Sequence, residues 1–278
     1  MQIAEALKWA STELSYSDSA AIDARILLCT TLEKPQSYLF TWPERVLSDD
    51  ETVRFQALIK QRAEGQPVAY LIGAREFWSL SLKVSPTTLI PRPETELLVE
   101  QALARLPDGE ASVCDLGTGT GAIALAIACE RPNVNVIGVD RIADAVSLAR
   151  ENAGRNHISN AVFLQSNWFE SLAGQTFSMI VSNPPYVEQD SHYLNEGDVR
   201  FEPSSALTAG TDGLDDIRYI ISKAPHYLTE NGWLLLEHGF NQAKPVQALL
   251  NQQGFTQVTT INDLAGQPRV TLGQRGER

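Results

Sequence analysis

Apolar residues recur at helical spacing through the first 65 positions: Ile3, Ala6, Leu7 and Ala10, then Ile22, Ile26 and Leu27, then Phe55, Leu58 and Ile59. Stripes of this period predict amphipathic helices packed as a small bundle. Ser17-Asp18 and Ser48-Asp49-Asp50-Glu51 offer oxygens that can accept from free N–H groups at helix starts, whereas Pro35 and Pro43 interrupt the middle. The pattern changes at 66–90. There Tyr70-Leu71-Ile72-Gly73, Glu76-Phe77-Trp78 and the alternating Leu80, Leu82 and Val84 predict a short strand or hairpin between domains. Pro91-Arg92-Pro93-Glu94-Thr95-Glu96 then opens a helix, with proline near its first position and acids in its first turn. From Ser112 onward apolar strands alternate with helical segments: Val113 to Asp115, Val134 to Asp140, Val162 to Leu164, Met179 to Val181, Trp233 to Glu237, Phe255 to Thr260 and Val270 to Leu272. Such alternation predicts a doubly wound, mostly parallel α/β sheet. The implied division is a helical bundle over 1–75, a strand or hairpin linker over 76–90, and an α/β domain over 91–278.

Composition removes several classes. The chain has 278 residues, 43% hydrophobic and 20% charged, enough for one large domain and a small companion. Met1 to Ala10 has neither the basic start nor the apolar run of a signal peptide, and the longest apolar run, Ala122 to Cys129, is far short of the roughly 18 residues of a membrane helix. Three cysteines, Cys29, Cys114 and Cys129, lack paired spacing and read as reduced core residues of a cytoplasmic protein. His157, His192, His226 and His238 form no catalytic or metal-ligating pattern, so no metal is expected. Net charge is −12 and uneven: residues 1–75 hold 8 basic and 10 acidic side chains, leaving 14 and 24 beyond. A region near −10 is a poor surface for a polyanion, so neither nucleic acid nor membrane is an expected partner. The chain is expected to act as a monomer.

Asp115-Leu116-Gly117-Thr118-Gly119-Thr120-Gly121 stands between a strand and a helical segment, where bare backbone lets a ligand approach closely. Nineteen residues past Gly121 the second strand ends at Asp140, whose carboxylate can accept both hydroxyls of a ribose. Loop and acid together predict a nucleoside site. Gly117-x-Gly119-x-x-Ala122 also fits a dinucleotide fingerprint, with Asp140 at the distance expected for NAD, so the loop alone leaves the nucleoside open.

Ser182-Asn183-Pro184-Pro185-Tyr186 follows the fourth strand, which in a doubly wound sheet lies beside the first. The tetrapeptide should therefore face the glycine loop. Its residues suit a planar nitrogen, whose delocalised lone pair makes it a poor nucleophile. Acceptors fixed at both of its hydrogens favour localisation of that pair as positive charge develops. Asn183 Oδ1 is one such acceptor, the Pro184 carbonyl, stiffened by Pro185, is another, and Tyr186 offers an aromatic face for a flat amide or base.

In these residues the sequence resembles the release factor glutamine methyltransferases, a family of class I S-adenosylmethionine enzymes, over nearly its whole length. The resemblance rests on Pro91 to Glu96, Asp115 to Gly121, Asp140, Asn167-Trp168-Phe169, Asn183 to Tyr186, and Phe201-Glu-Pro-Ser-Ser-Ala-Leu207. Loop and tetrapeptide alone would also admit DNA adenine and ribosomal RNA guanine methyltransferases. The resemblance implies a seven-stranded class I methyltransferase sheet behind a small all-α domain. It also implies S-adenosylmethionine as methyl donor, with S-adenosylhomocysteine as product. Gly117, Thr118, Gly119, Thr120 and Gly121 would cradle the methionine end, Asp140 the ribose, and Trp168 the adenine. Asn183, Pro184, Pro185 and Tyr186 would bind the substrate glutamine, Asn183 lying against the cofactor as well, and Asn183, Pro184 and Tyr186 would carry the catalysis. The implied target is the glutamine N5 of the Gly-Gly-Gln segment of class I peptide chain release factors, docked by the helical domain. One position departs: the family usually has an acid before this tryptophan, and here it is Asn167, whose amide can still exchange hydrogen bonds with an adenine amino group.

Overall fold

The computed structural model describes residues 1–276. They form two units, one made of Met1–Ala74 with Asn195–Phe201, the other of Arg75–Leu194 with the chain from Glu202 onward. In the first unit α1 (Ile3–Glu13), α2 (Ala20–Leu32), α3 (Gln36–Thr41), α4 (Asp49–Ala63) and α5 (Val68–Ile72) enclose a core of Ile3, Leu14, Leu27, Leu28, Phe55 and Ile59. The start of α4 is a capping box: Ser48 Oγ accepts from the Glu51 N–H at 3.1 Å, and the Glu51 carboxylate accepts the Ser48 N–H at 2.8 Å. Arg45 grips the same carboxylate with two nitrogens, at 3.0 and 2.8 Å, and holds it below its ordinary pKa. The start expected at Ser17-Asp18 falls instead at Ala20, with Ser17 Oγ accepting the Ser19 N–H at 3.3 Å and lying 3.0 Å from Ser19 Oγ, short of the first helical turn.

In this unit one arginine joins a buried carboxylate to a half-exposed one. Arg62 on α4 donates through Nε to Asp23 Oδ2 on α2 at 2.8 Å and through Nη1 to Asp198 Oδ1 at 3.0 Å. Arg200 donates to the Glu64 carbonyl at 3.2 Å. The stretch Asn195–Phe201 thus belongs to the helical unit although it lies far along the chain.

Residues Tyr70 to Ile72, read as extended, are instead the end of α5. Pro67 at its N-cap presets the first turn, and Gly73 ends it in the left-handed region at φ 71°. The hairpin proper is β1 (Ala74–Phe77) with β2 (Leu80–Lys83). Its two turn residues, Trp78 and Ser79, both have positive φ, 51° and 62°, as a tight two-residue turn requires. Trp78 is held there by its N–H on Glu96 Oε1 at 2.9 Å and its indole on Glu130 Oε1 at 2.8 Å.

The seven-stranded sheet of the second unit runs β5-β4-β3-β6-β7-β9-β8, with β3 (Ala111–Leu116), β4 (Val134–Asp140), β5 (Ala161–Gln165), β6 (Phe177–Ser182), β7 (Leu228–Glu237), β8 (Phe255–Asn262) and β9 (Pro268–Arg275). All pairs are parallel except those of β9 with β7 and β8. Helices α6 (Glu96–Leu103), α7 (Ala122–Glu130) and α8 (Ala143–Arg155) cover one face, α9 (Asp215–Lys223) and α10 (Ala243–Gln252) the other. Two covered faces explain why β3 and β6 read as continuous apolar runs rather than alternations. Cys114 is buried in β3, but Cys29 is only partly buried and Cys129, where α7 emerges from the core, is exposed. Among the described residues no helix is long and apolar enough to cross a membrane, and no cluster of His, Cys, Asp and Glu could hold a metal.

Candidate functional site

The chain winds outward from β3 through β4 to β5, then returns to lay β6 on the other side of β3. Ligands of doubly wound sheets bind at such a reversal, beyond the carboxyl ends of the strands. Leu116 pairs with Ser182, so Gly117 and Asn183 each stand one residue past the same rung. Gly117 and Thr118 both donate to the Val139 carbonyl at 2.9 Å, which folds the glycine loop over the end of β4.

The three glycines differ in purpose. All have positive φ, at 72°, 53° and 83° for Gly117, Gly119 and Gly121. A Cβ on Gly121 would lie 3.2 Å from Ala149, Leu125 and Phe163, so that glycine serves helix packing. A Cβ on Gly119 would meet nothing nearer than Thr88 at 3.9 Å, which leaves its backbone open to a ligand. Asn152, fully buried on α8, steadies the arrangement by donating to the carbonyls of Thr120 at 2.9 Å and Lys83 at 3.0 Å while accepting the Lys83 N–H.

Asp140 splints the loop: Oδ2 accepts the Gly119 N–H at 3.0 Å and Oδ1 the Ile142 N–H at 2.9 Å. Each oxygen keeps a further lone pair for a ligand hydroxyl. Burial raises its pKa, and those two N–H groups pull it back. Asp115 is wholly buried beneath the loop. Burial lifts its pKa to about 7, against the Thr118 hydroxyl that donates to Oδ2 at 2.6 Å, and Oδ1 has no hydrogen-bond partner.

Gly117, Gly119, Asp140, Trp168 and Asn183 come together on the wall of one open cavity, joined by Thr118, Thr120 and Pro185. A glycine cradle, a carboxylate with spare lone pairs and an aromatic face on one open cavity fit a nucleoside-bearing group. Trp168 has φ 50°, a conformation secured by Ser166 Oγ, which donates to the Trp168 carbonyl at 2.8 Å and accepts the Ser171 N–H at 3.0 Å. Its ring consequently lies over Gly117, 3.5 Å from where a Cβ would stand. Gly121, Pro184 and Tyr186 are not on the wall. Pro184 is buried behind it, and Tyr186 packs against the core with its hydroxyl toward Glu237 at 3.4 Å.

Four side chains around the site were not singled out from the sequence. Arg92 forms an ion pair with the buried Glu202, whose other oxygen accepts the Ile90 N–H at 3.0 Å, so the Pro91–Glu96 turn is bolted to the Phe201–Leu207 segment. Thr95 accepts from Asn183 Nδ2 at 3.2 Å, and Glu237 receives Tyr186. The first three lie inside stretches whose joint presence was the signal; Glu237 carries none beyond its place at a strand end.

Residues 5–73 match the family model described as the PrmC N-terminal domain, and residues 93–198 match the methyltransferase small domain. A release factor glutamine methyltransferase of Aliivibrio fischeri is 54% identical over 95% of this chain and 93% of its own length. Another so named, from Vibrio cholerae, is 54% identical over 98% and 96%. The chain belongs to the release factor glutamine methyltransferase family. A crystal structure of a methyltransferase from Pyrococcus furiosus has the same fold at 20% identity, with TM-score 0.55 over 80% of this chain and 98% of that one. Membership of the release factor glutamine methyltransferases closes the dinucleotide reading that the glycine loop left open.

Proposed function

We propose that this methyltransferase transfers the methyl group of S-adenosylmethionine to the glutamine N5 of the Gly-Gly-Gln segment in class I peptide chain release factors. The reading is carried by 54% identity over 95% of the chain to a protein of that name, together with the meeting of loop and tetrapeptide at one cavity. When bound, the cofactor supplies an electrophilic methyl group on a sulfonium centre and leaves as S-adenosylhomocysteine. Backbone groups of Gly117 to Gly121 take its amino-acid end, Asp140 accepts the ribose hydroxyls, and Trp168 lies along the adenine. Asn167 donates through Nδ2 to Glu170 Oε1 at 2.8 Å, which leaves its own carbonyl oxygen as the acceptor for an adenine amino group.

Asn183 Oδ1, on the cavity wall, accepts one hydrogen of the substrate amide, and the backbone carbonyl of Pro184, whose ring is buried, is the acceptor for the other, biasing the lone pair toward the methyl group. Pro185 shapes the wall, and Tyr186 anchors the loop so that these acceptors stay in place. The helical unit docks the release factor, the acidic second unit takes no nucleic acid, and the protein works as a cytoplasmic monomer.

Radiolabelled S-adenosylmethionine offered with a release factor, its Gln-to-Ala variant, DNA and ribosomal RNA should label the unaltered release factor alone. Label in either nucleic acid, or in the variant, would overturn the assignment. Asp140→Ala should weaken cofactor binding roughly 10- to 100-fold, the scale of losing hydrogen bonds to a charged group. Calorimetry giving wild-type affinity would remove the ribose role.

A further inference from the structure

A carboxamide presents two ends of nearly equal size, so packing alone does not decide whether Asn183 shows the cavity an acceptor oxygen or a donor NH₂. The difference is decisive, because an NH₂ facing a substrate NH₂ opposes the transfer. Hydrogen-bond direction decides it. Asn183 Nδ2 donates to Thr95 Oγ1 at 3.2 Å, and an oxygen that accepts there must send its own hydrogen elsewhere. Beside Thr95 stands Glu237, at the carboxyl end of β7, 1% exposed and absent from the cavity wall. The Tyr186 hydroxyl donates to Oε1 at 3.4 Å, Oε2 has no hydrogen-bond partner, and the Thr95 hydroxyl stands near enough to this carboxyl to hold its pKa down.

An ionised carboxylate accepts and never donates. With Glu237 charged, the Thr95 hydrogen points to it, the Thr95 lone pair faces Asn183 Nδ2, and Asn183 Oδ1 is left turned to the cavity. We propose that Glu237 is a positioning residue that fixes, through Thr95, which end of the Asn183 carboxamide meets the substrate nitrogen. This rests on the reading of Asn183 as an acceptor for the substrate amide.

The relay has a pH dependence whose sign follows from its surroundings. Burial lifts the Glu237 pKa to about 7, against the Thr95 hydroxyl, the positive Arg269 of β9 and the Tyr186 hydroxyl, with Glu94 adding to the rise. His238, next in the chain, is turned away into bonds with the Gly239 carbonyl and Thr271 Oγ1. Below about pH 7 Glu237 gains a proton and can donate, the direction of the chain is no longer enforced, and turnover falls. Asp115 titrates in the same range, but beneath the cofactor loop, so its effect enters cofactor affinity rather than turnover at saturating cofactor.

The test measures kcat and KM for label transfer to a release factor at saturating S-adenosylmethionine, with cofactor affinity by calorimetry and thermal unfolding for each variant. Glu237→Gln keeps the volume and removes a buried charge, so melting should be unchanged or raised. Its kcat should fall ~10- to 100-fold with KM nearly constant, the size of effect expected of a misaligned acceptor, and the acid limb near pH 7 should vanish. Thr95→Val should lose turnover to the same extent, and Thr95→Ser should restore most of it. The double variant Glu237→Gln/Thr95→Val should be no slower than either alone, since one relay is broken twice. Wild-type kcat in Glu237→Gln, or an acid limb that persists in it, would overturn the proposal, as would a loss matched by lowered melting. If Asn183→Ala is inactive while Glu237→Gln and Thr95→Val turn over normally, only the relay fails. If Asn183→Ala is itself fully active, the acceptor reading beneath it fails.

Discussion

Asn183→Ala is expected to lower kcat for methyl transfer about 10²- to 10³-fold, the loss seen when one preorganised polar partner of a transition state is removed. S-Adenosylmethionine should still bind within about threefold of wild type, because the loop that would hold it is built by other groups: Asp140, the Val139 carbonyl and Asn152. The carboxamide of Asn183 bonds to Thr95, and its removal leaves the β3–β6 pairing and the stiff Pro184-Pro185 pair untouched. A substrate amide would keep the Pro184 carbonyl as one acceptor and lose the other, so its nitrogen would retain more of its planarity as the methyl group approaches. Single-turnover label transfer with calorimetry of cofactor binding separates chemistry from binding. Turnover equal to wild type would remove Asn183 from the chemistry.

The second large effect concerns stability and lies in the helical unit. Arg62 and Asp23 have side chains only 13% and 8% exposed, and Ser19 Oγ donates to the same Asp23 oxygen at 3.0 Å. Arg62→Met would keep much of the apolar stem but leave a carboxylate buried without its cation. Breaking a buried pair from one side costs about 3–5 kcal/mol, whereas replacing both members by apolar residues is often neutral. Arg62→Met should therefore lower unfolding stability of the helical unit by about that amount, and Arg62→Met/Asp23→Leu should recover most of it. Urea unfolding followed by tryptophan fluorescence reads this through Trp9, which packs edge-on against Phe55 at 6.0 Å. A single-variant loss under about 1 kcal/mol, the range of a surface pair, would show that the cluster is solvated in solution.

The strands were legible because burial on both faces leaves apolar runs that no loop resembles. Val134–Asp140 emerges as read, and Ser48 caps α4 because its hydroxyl and the Glu51 carboxylate stand at the spacing that lets each reach the other's N–H. α5 was misread since five residues are too few to show a period, and its identity rests on Pro67 and Gly73 at its ends. In the site, the glycine loop and the Pro-Pro pair were readable because those residues dictate backbone shape locally. Glu202 and Glu237 were not. A charged residue in a sequence reads as solvated, and the partners that make burial tolerable lie elsewhere, the Glu202 carboxylate meeting the Ile90 N–H across 112 positions. Arg62 is hidden in the same way, one of its partners lying 136 positions downstream.

That last separation has a consequence for anyone recombining members of this family. The helical unit is assembled from two lengths of polypeptide, the leading 74 residues and the seven from Asn195 to Phe201. A chimaera that exchanges only the leading length would set a foreign arginine against a native Asp198, or the reverse. A transplant that is to keep the anchoring charge satisfied has to carry both pieces, and an isolated fragment ending at residue 74 lacks one of the two lengths that complete its helical bundle.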